Sequence, residues 1–285
     1  MERHSSASEQ LRLVRTLFPE LSARLDAAAA AHTGEQPGAE FDAWLDREAG
    51  AIHAGAAFGA IGDADAMRRL DEAFRAASVA AGFAATTVPE PEAFAAAGVD
   101  LSRLGALLAR DPELVPVPAP YGLGIEHWRA TFARAAAAHP EVLGGESGGS
   151  PLVLATDAVR GFGALDRIPE SAGSLPTVVQ RVGPGRVVRW TLRLVPGGAA
   201  PAVLGLGFAH GPHASLPELL MLQLMRIAAG EAPVDTGTFT WLAGSVADGK
   251  LAARHVYDAG ERVIRITCRE IGNQGPHLGA RPPVA

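Results

Sequence analysis

Two stretches in the C-terminal half of the chain share one order of apolar and polar positions. Each has an apolar run with helical spacing, followed by three short runs in which apolar and polar residues alternate, as in strands of a half-buried sheet. The helical runs are residues 154–168 and 219–229. The alternating runs are residues 177–182, 187–195 and 202–208 in the first stretch, and residues 238–246, 251–257 and 262–271 in the second. The pattern therefore predicts two α-β-β-β units that form antiparallel sheet.

The turns between these runs favour an internal duplication. Glycine-containing turns lie at residues 183–186 and 247–250, and each unit closes on Gly-Pro-His, at residues 211–213 and 275–277. The offset is 64 residues at both landmarks (247 minus 183, and 275 minus 211). Self-similarity at a fixed offset indicates duplication. The alternative is a chance agreement, because there are only two copies and their residue identity is low. We expect units of about residues 151–213 and 215–278.

The start of the second unit carries a specific helix signal. Ser215 and Glu218 have the spacing of a capping box, and Pro217 stands in the first turn. The helix that follows, over residues 219–229, is apolar on nearly every face. A helix with so little polar surface is normally buried, so we expect it in the core.

The N-terminal half has the pattern of amphipathic helices. Helical spacing covers residues 41–57, 100–110 and 125–139, and Asp63 or Asp65 can cap a further helix. Residues 114–120 have proline at alternate positions, which argues against a central strand and predicts an extended connector. Residues 144–150 are Gly-Gly-Glu-Ser-Gly-Gly-Ser, a composition typical of linkers. The expected fold is α+β, with a helical domain (1–143), a Gly/Ser linker (144–150) and an α+β domain made of the two units (151–285).

Composition narrows the class of protein. A hydrophobic share of 48% and a charged share of 20% over 285 residues are those of a soluble globular protein. Lys250 is the only lysine, and with the abundant alanine and glycine this indicates a GC-rich, actinobacterial type of coding sequence. A net charge of −6 argues against a general nucleic-acid binder. No secretory signal and no apolar run of about 18 residues is seen, so we expect a cytoplasmic protein without membrane contact.

Three histidines suggest a metal site. His210 and His213 flank Gly-Pro after a predicted strand, and His277 holds the place of His213 in the second unit. If the units pack about a pseudo-twofold axis, these imidazoles and the carboxylate of Glu270 could hold a divalent metal with room for substrate. The alternative is that the Gly-Pro turns leave the histidines in solvent or capping the turn.

Arginine alternates along one strand of each unit. The sequence Arg-x-Thr-x-Arg places Arg189 and Arg193 on one face of the first strand, and Arg265 and Arg269 on one face of the second. Four guanidinium groups on a common groove would bind a carboxylate or phosphate. The alternative is the polar face of a half-solvated sheet. Cys268, the only cysteine, alternates onto the apolar face and reads as a buried structural thiol.

The polar C-terminal tail supplies two further candidates. Asn273 and Gln274 could donate and accept hydrogen bonds with a polar ligand, or the tail could pack across a sheet edge. Motifs for phosphate loops, dinucleotide binding, nucleophile elbows and zinc ribbons are absent.

Two hypotheses of function follow from these signals. The first is a non-catalytic protein that binds a small anionic ligand or a protein partner through an arginine-lined sheet face. The second is an enzyme that uses a divalent metal on a small polar or anionic substrate at the junction of the two units. An open sheet edge also suggests a homodimer. The sequence leaves open whether the protein is an enzyme.

Overall fold

The N-terminal part of the described chain contains four helices and one strand. The computed structural model describes residues 61–144, 149–182, 186–203, 211–271, 275 and 277–285. Its first elements are α1 (Ala64–Phe83), α2 (Pro91–Ala96), α3 (Leu101–Arg110), β1 (Leu114–Tyr121) and α4 (Ile125–Ala138). Side-chain caps begin two of the helices, because Asp63 accepts from the backbone N–H of Ala66 and Asp100 accepts from that of Arg103. The prediction for residues 41–57 lies outside the described residues.

The C-terminal part alternates short helices with strands. It comprises β2 (Leu152–Leu154), α5 (Thr156–Arg160), α6 (Phe162–Leu165), a 3-10 turn (Glu170–Ala172), β3 (Val178–Arg181), β4 (Val187–Pro196), β5 (Ala202–Val203), α7 (Leu216–Ala228), β6 (Phe239–Val246), β7 (Leu251–Asp258), β8 (Val263–Glu270) and β9 (Leu278–Ala280). The helix predicted over residues 154–168, with interruptions at Gly161 and Gly163, is present as two short helices broken at Gly161, and its first residue belongs to β2. Helix α5 ends at Arg160, and the next residue, Gly161, lies close to the side chain of Val246.

The strands form two sheets. The smaller sheet has the order β1-β4-β3 and is antiparallel, whereas the larger has the order β2-β8-β7-β6-β9-β5. In the larger sheet, β2 pairs with β8 and β6 with β9 in parallel, and the other pairs are antiparallel. The described chain is thus α+β with antiparallel and mixed sheet. The strands predicted for the second unit are neighbours in one sheet, whereas β5 lies in a different sheet from β3 and β4.

Strand β1 corrects the prediction of a connector at residues 114–120. All eight of its residues pair with β4, so this stretch is a strand at the edge of the smaller sheet. Leu194, opposite Pro116, exchanges both backbone hydrogen bonds with Val284 on the other side of β4. Pro116 and the two alternate prolines after it therefore lie at positions whose backbone nitrogens point away from β4. The alternate prolines remove donors only from the open edge, where proline is tolerated.

Helix α7 fills the centre of the core. It packs against α1 and β1, and nearly all of its residues are buried. The Ser215–Glu218 capping box predicted from the sequence is confirmed, and the helix begins at Leu216. Among the described residues, no helix is both long and apolar enough to cross a membrane.

Candidate functional site

The described residues among the predicted metal ligands do not lie close together. His213 is buried, His277 and Glu270 are exposed, and His210 lies outside the described residues. Phe239, at the start of β6, donates its backbone N–H to the carbonyl of His277. Val246, at the other end of β6, pairs with Leu251 of β7, and Leu251 pairs with Glu270 of β8. His277 and Glu270 are therefore separated by about the length of β6, on the order of 20 Å. In the described part of the chain, no group of three or more His, Cys, Asp or Glu residues could hold a metal ion.

His213 lies apart from His277 as well. The residue after it, Ala214, donates its backbone N–H to the carbonyl of Arg281 at 2.8 Å. His277 precedes β9 and Arg281 follows it, so the two histidine positions are separated by the length of β9, roughly 13 Å in an extended chain. The imidazole of His213 accepts at Nε2 from the backbone N–H of Gly211 at 3.2 Å, within its own turn.

The four predicted arginines belong to two different sheets. Arg189 and Arg193 are on β4 of the smaller sheet, and Arg265 and Arg269 are on β8 of the larger one. A single sheet face therefore does not carry all four guanidinium groups. Arg189 and Arg269 are exposed, whereas Arg193 is only 4% exposed.

Arg193 forms a buried ion pair with the capping-box carboxylate. Its Nε and Nη2 donate to Oε1 and Oε2 of Glu218 at 2.6 and 2.7 Å. Oε2 also accepts from the backbone N–H and the hydroxyl of Ser215, at 2.8 and 2.9 Å. Burial lowers the pKa of Arg193, but the charge and hydrogen bonds of Glu218, with a smaller contribution from Tyr121, together outweigh this effect and the pKa is raised. The carboxylate therefore both starts α7 and fastens it to β4.

Tyr121 extends this buried cluster. Its hydroxyl lies 2.8 Å from the Ser215 hydroxyl, and burial, followed by the negative charge of Glu218, raises its pKa. Sequence reasoning placed Arg193 on a solvated or ligand-binding face. The structure corrects this because α7 covers that face and brings a carboxylate to it.

A second buried network was not foreseen from the sequence. Asp235 accepts from His255 Nδ1 at 2.9 Å and from Arg281 Nη2 at 2.6 Å, and all three side chains are fully buried. Burial raises the pKa of Asp235, but the contacts with His255 and Arg281 outweigh it and the pKa is lowered. The amide of Gln223 exchanges hydrogen bonds with the backbone of Val234, and its remaining N–H points to His255 Nε2 at 3.3 Å.

Both ring nitrogens of His255 have a partner. Nδ1 donates to the Asp235 carboxylate, and the Gln223 amide nitrogen lies 3.3 Å from Nε2. Because the side chains of Asp235, His255 and Arg281 are fully buried, their contacts hold parts of the fold together. Its members come from elements far apart in sequence, and no local motif marks them.

The larger sheet has an arginine-bearing face of different character. We call it the outer face, and it consists of Phe239, Trp241, Arg254, Arg265, Thr267 and Arg269, which the strand registers place on one side of the sheet. Arg254 lies with Cζ 3.9 Å from the centre of the Phe239 ring, and its Nε donates to the Thr267 hydroxyl at 3.0 Å. Arg254 was missed in the sequence, although the β7–β8 turn fixes its register opposite Thr267.

The arginines of the outer face differ in their partners. Arg265 is neutralised by Asp258, at 3.0 Å, and by Glu261. Among the described residues, no carboxylate pairs with Arg254 or Arg269. Burial lowers the pKa of Arg254, and the nearby positive charge of Arg269 lowers it further. The register of β7 and β8 makes Arg254 and Arg269 diagonal neighbours on this face, and neither has a counter-charge from the described chain.

Asn273, Gln274 and Cys268 are the remaining residues that the sequence singled out. Asn273 and Gln274 lie outside the described residues. Cys268 is half-buried on the opposite face of β8, and burial raises its pKa to about 11. This environment is that of a structural thiol rather than a reactive one.

Comparison with known proteins adds no further constraint on the site. No protein-family model, no curated protein and no solved structure matches this chain.

Proposed function

We propose that the protein is a non-catalytic binding protein that receives an anionic group of its ligand or partner on the outer face of the larger sheet. Arg254 and Arg269 bind the anion, and Thr267 holds Arg254 in place. The observation that supports this most directly is the diagonal placement of Arg254 and Arg269 on one face of the sheet, without a carboxylate partner for either among the described residues.

Arg254 carries a charge that a bound anion would stabilise. Arg254 is half-buried, so its charge is less well hydrated than that of a surface arginine, and Arg269 repels it. An anion between the two relieves the repulsion and restores hydrogen bonds lost on burial, which makes each contact a charge-assisted one. The Phe239 ring beneath Arg254 and the bond to Thr267 hold the guanidinium in one orientation. Less side-chain freedom is therefore lost when the anion binds.

The test is calorimetric titration with inorganic pyrophosphate at about 20 mM and about 300 mM NaCl, which differ several-fold in screening. We expect binding at low salt that weakens at high salt. Arg254→Gln and Arg269→Gln should each weaken it about 10- to 100-fold, the worth of one charge-assisted hydrogen bond.

The matched control is Arg103→Gln, which removes an exposed arginine on α3 and lowers the net charge by the same amount. If Arg103→Gln weakens binding as much as the other two changes, attraction is general and not localised, and the proposal is wrong. Absence of pyrophosphate binding at low salt also overturns it.

We also propose that the C-terminal part descends from a duplicated α-β-β-β unit and that residues 1–143 form a helical domain before the linker at 144–150. Matching turns at a 64-residue offset support the duplication. Because β1 pairs with β4 across this boundary, limited proteolysis in the linker should leave two fragments that elute together on gel filtration. Cleavage elsewhere first would contradict the boundary, and fragments that separate would contradict the pairing of β1 with β4.

A further inference from the structure

A cavity of about 470 Å³ opens where β1 ends and α4 begins. Its walls include Tyr121, Gly124, Gly163, Asp166, Ile168 and Arg189. It belongs to the smaller sheet and does not involve the outer face of the larger one. Cavities of several hundred Å³ are the usual size for small-molecule sites.

Asp166 is the unusual group in this wall. It follows α6 and is only 7% exposed. Its Oδ2 accepts from the backbone N–H of Gly124 at 2.8 Å, at the start of α4. Its Oδ1 is buried and has no hydrogen-bond partner among the described residues. Burial raises the pKa of Asp166, and the backbone N–H groups of Gly124 and Gly122, followed by the indole N–H of Trp128, oppose this rise. Oδ1 itself has no donor within hydrogen-bonding geometry in the described part of the chain.

A buried carboxylate oxygen whose nearest donors lie outside hydrogen-bonding geometry is unfavourable, because it has lost its water without a full hydrogen bond in return. A hydrogen-bond donor arriving in the cavity would supply the missing partner, and a positively charged donor would do so most strongly. The carboxylate therefore selects a ligand with an ammonium or similar group.

Arg189 supplies the opposite charge in the same cavity. It lies on β4 directly across from Tyr121, it is exposed, and no carboxylate pairs with it in the described part of the chain. Gly124, with φ of +82°, and Gly163 have open space where a side chain would begin. The absence of side chains at these two positions keeps the space beside the two charged groups clear.

We propose that this cavity binds a small zwitterion, with its ammonium group on Asp166 and its carboxylate on Arg189. The wall carries one carboxylate and two arginines, Arg167 and Arg189. Oδ1 of Asp166 has no hydrogen-bond partner and Arg189 has no carboxylate partner among the described residues, so a ligand with both groups satisfies both. Tyr121 and Ile168 offer apolar surface to the carbon chain between them. This inference rests on a different set of residues from the proposed anion-binding face and is independent of it.

The experiment is calorimetric titration of the full chain with glycine, 4-aminobutyrate and 6-aminohexanoate, whose charged groups are increasingly far apart. Butyrate and butylamine, and hexanoate and hexylamine, are the matched compounds with only one of the two groups. We expect one amino acid to bind at least about tenfold more tightly than both of its single-group analogues, as two simultaneous charge contacts require.

Variants locate the binding. Asp166→Asn should remove the advantage of the amine, and Arg189→Gln should remove that of the carboxylate, whereas Arg181→Gln, an exposed arginine on β3, should change neither. Gly163→Leu should abolish binding while leaving the circular dichroism spectrum intact, because its side chain enters open space. This last variant keeps the test decisive if Asp166→Asn does not fold.

Two results would overturn the proposal. One is equal affinity for every amino acid and its single-group analogues, including no binding of any of them. The other is a preference for an amino acid that survives in Gly163→Leu, since the zwitterion would then lie elsewhere.

Discussion

The buried pair of Arg193 and Glu218 allows a quantitative prediction about stability. Arg193→Met keeps an unbranched side chain of similar length but removes the cation from Glu218, which is fully buried. The carboxylate then retains only its contacts with Ser215. Removing one partner of a buried ion pair typically destabilises a protein by about 3–5 kcal/mol, because the remaining charge is neither hydrated nor paired. We expect the free energy of unfolding to fall by about that amount.

Glu218→Leu should be at least as severe for a second reason. Glu218 also completes the capping box of α7, whose N-cap contacts contribute about 1 kcal/mol in comparable helices. The double variant Arg193→Met/Glu218→Leu loses the cap but leaves no buried charge behind. Its loss should therefore be smaller than the sum of the two single losses by roughly 2–4 kcal/mol, since buried pairs and apolar replacements are often close in stability.

The assay is urea unfolding at pH 7, followed by circular dichroism, with all three variants and the parent chain measured together. Arg129→Met is the control, because Arg129 pairs at 2.7 Å with Glu126 on an exposed helix surface, where ion pairs contribute little. Additive single losses would show that the two side chains are not energetically coupled. Single losses no larger than that of Arg129→Met would show that the pair is hydrated in solution. Either result would refute the reasoning.

Three further outcomes are expected. The pKa of Asp235 is lowered in the folded chain from its ordinary value of 3.8, so its ionised form stabilises the fold above that pH. Stability measured by urea unfolding should therefore fall as the pH decreases below 3.8. Asp235→Asn should flatten this dependence. A Cβ at Gly161 would lie 2.3 Å from Cγ1 of Val246, so Gly161→Ala should reduce stability by about 1–3 kcal/mol. Gly163→Ala, whose Cβ enters open space, should cause no such loss, and equal losses in the two variants would exclude a steric cause. Cys268, with a pKa of about 11, should react slowly with a disulfide reagent at pH 8 in the native protein and rapidly in urea; equally fast reaction in both would contradict its burial.

Local signals predicted where most of the described helices and strands lie better than how the strands pair. The caps at Asp63, Asp100 and Ser215 act within one turn, so the sequence alone locates the helix starts. Strand β1 was misjudged because its prolines exclude only a central strand. Whether such a stretch pairs at an edge depends on β4, whose other side is taken by β3 and Val284. That information is not local.

The candidate site was predictable only in part. Alternation correctly placed Arg265 and Arg269 on one face of β8, because the period of two is a property of every strand. It could not show that Arg254 of β7 lies beside them or that Phe239 of β6 supports it, because those contacts depend on strand order. The network of Gln223, Asp235, His255 and Arg281 was invisible for the same reason.

Arg193 and Arg254 show what decides the role of an arginine on a strand. Both stand at alternating positions, but Arg193 meets a carboxylate from the helix that covers its face, and Arg254 meets an aromatic ring, a hydroxyl and another arginine. The first charge is already neutralised, so its removal should lower stability. The second is not neutralised by the described residues, so Arg254→Gln should change stability little while weakening anion binding. The covering element, and not the strand pattern, therefore separates a structural arginine from one available to a ligand.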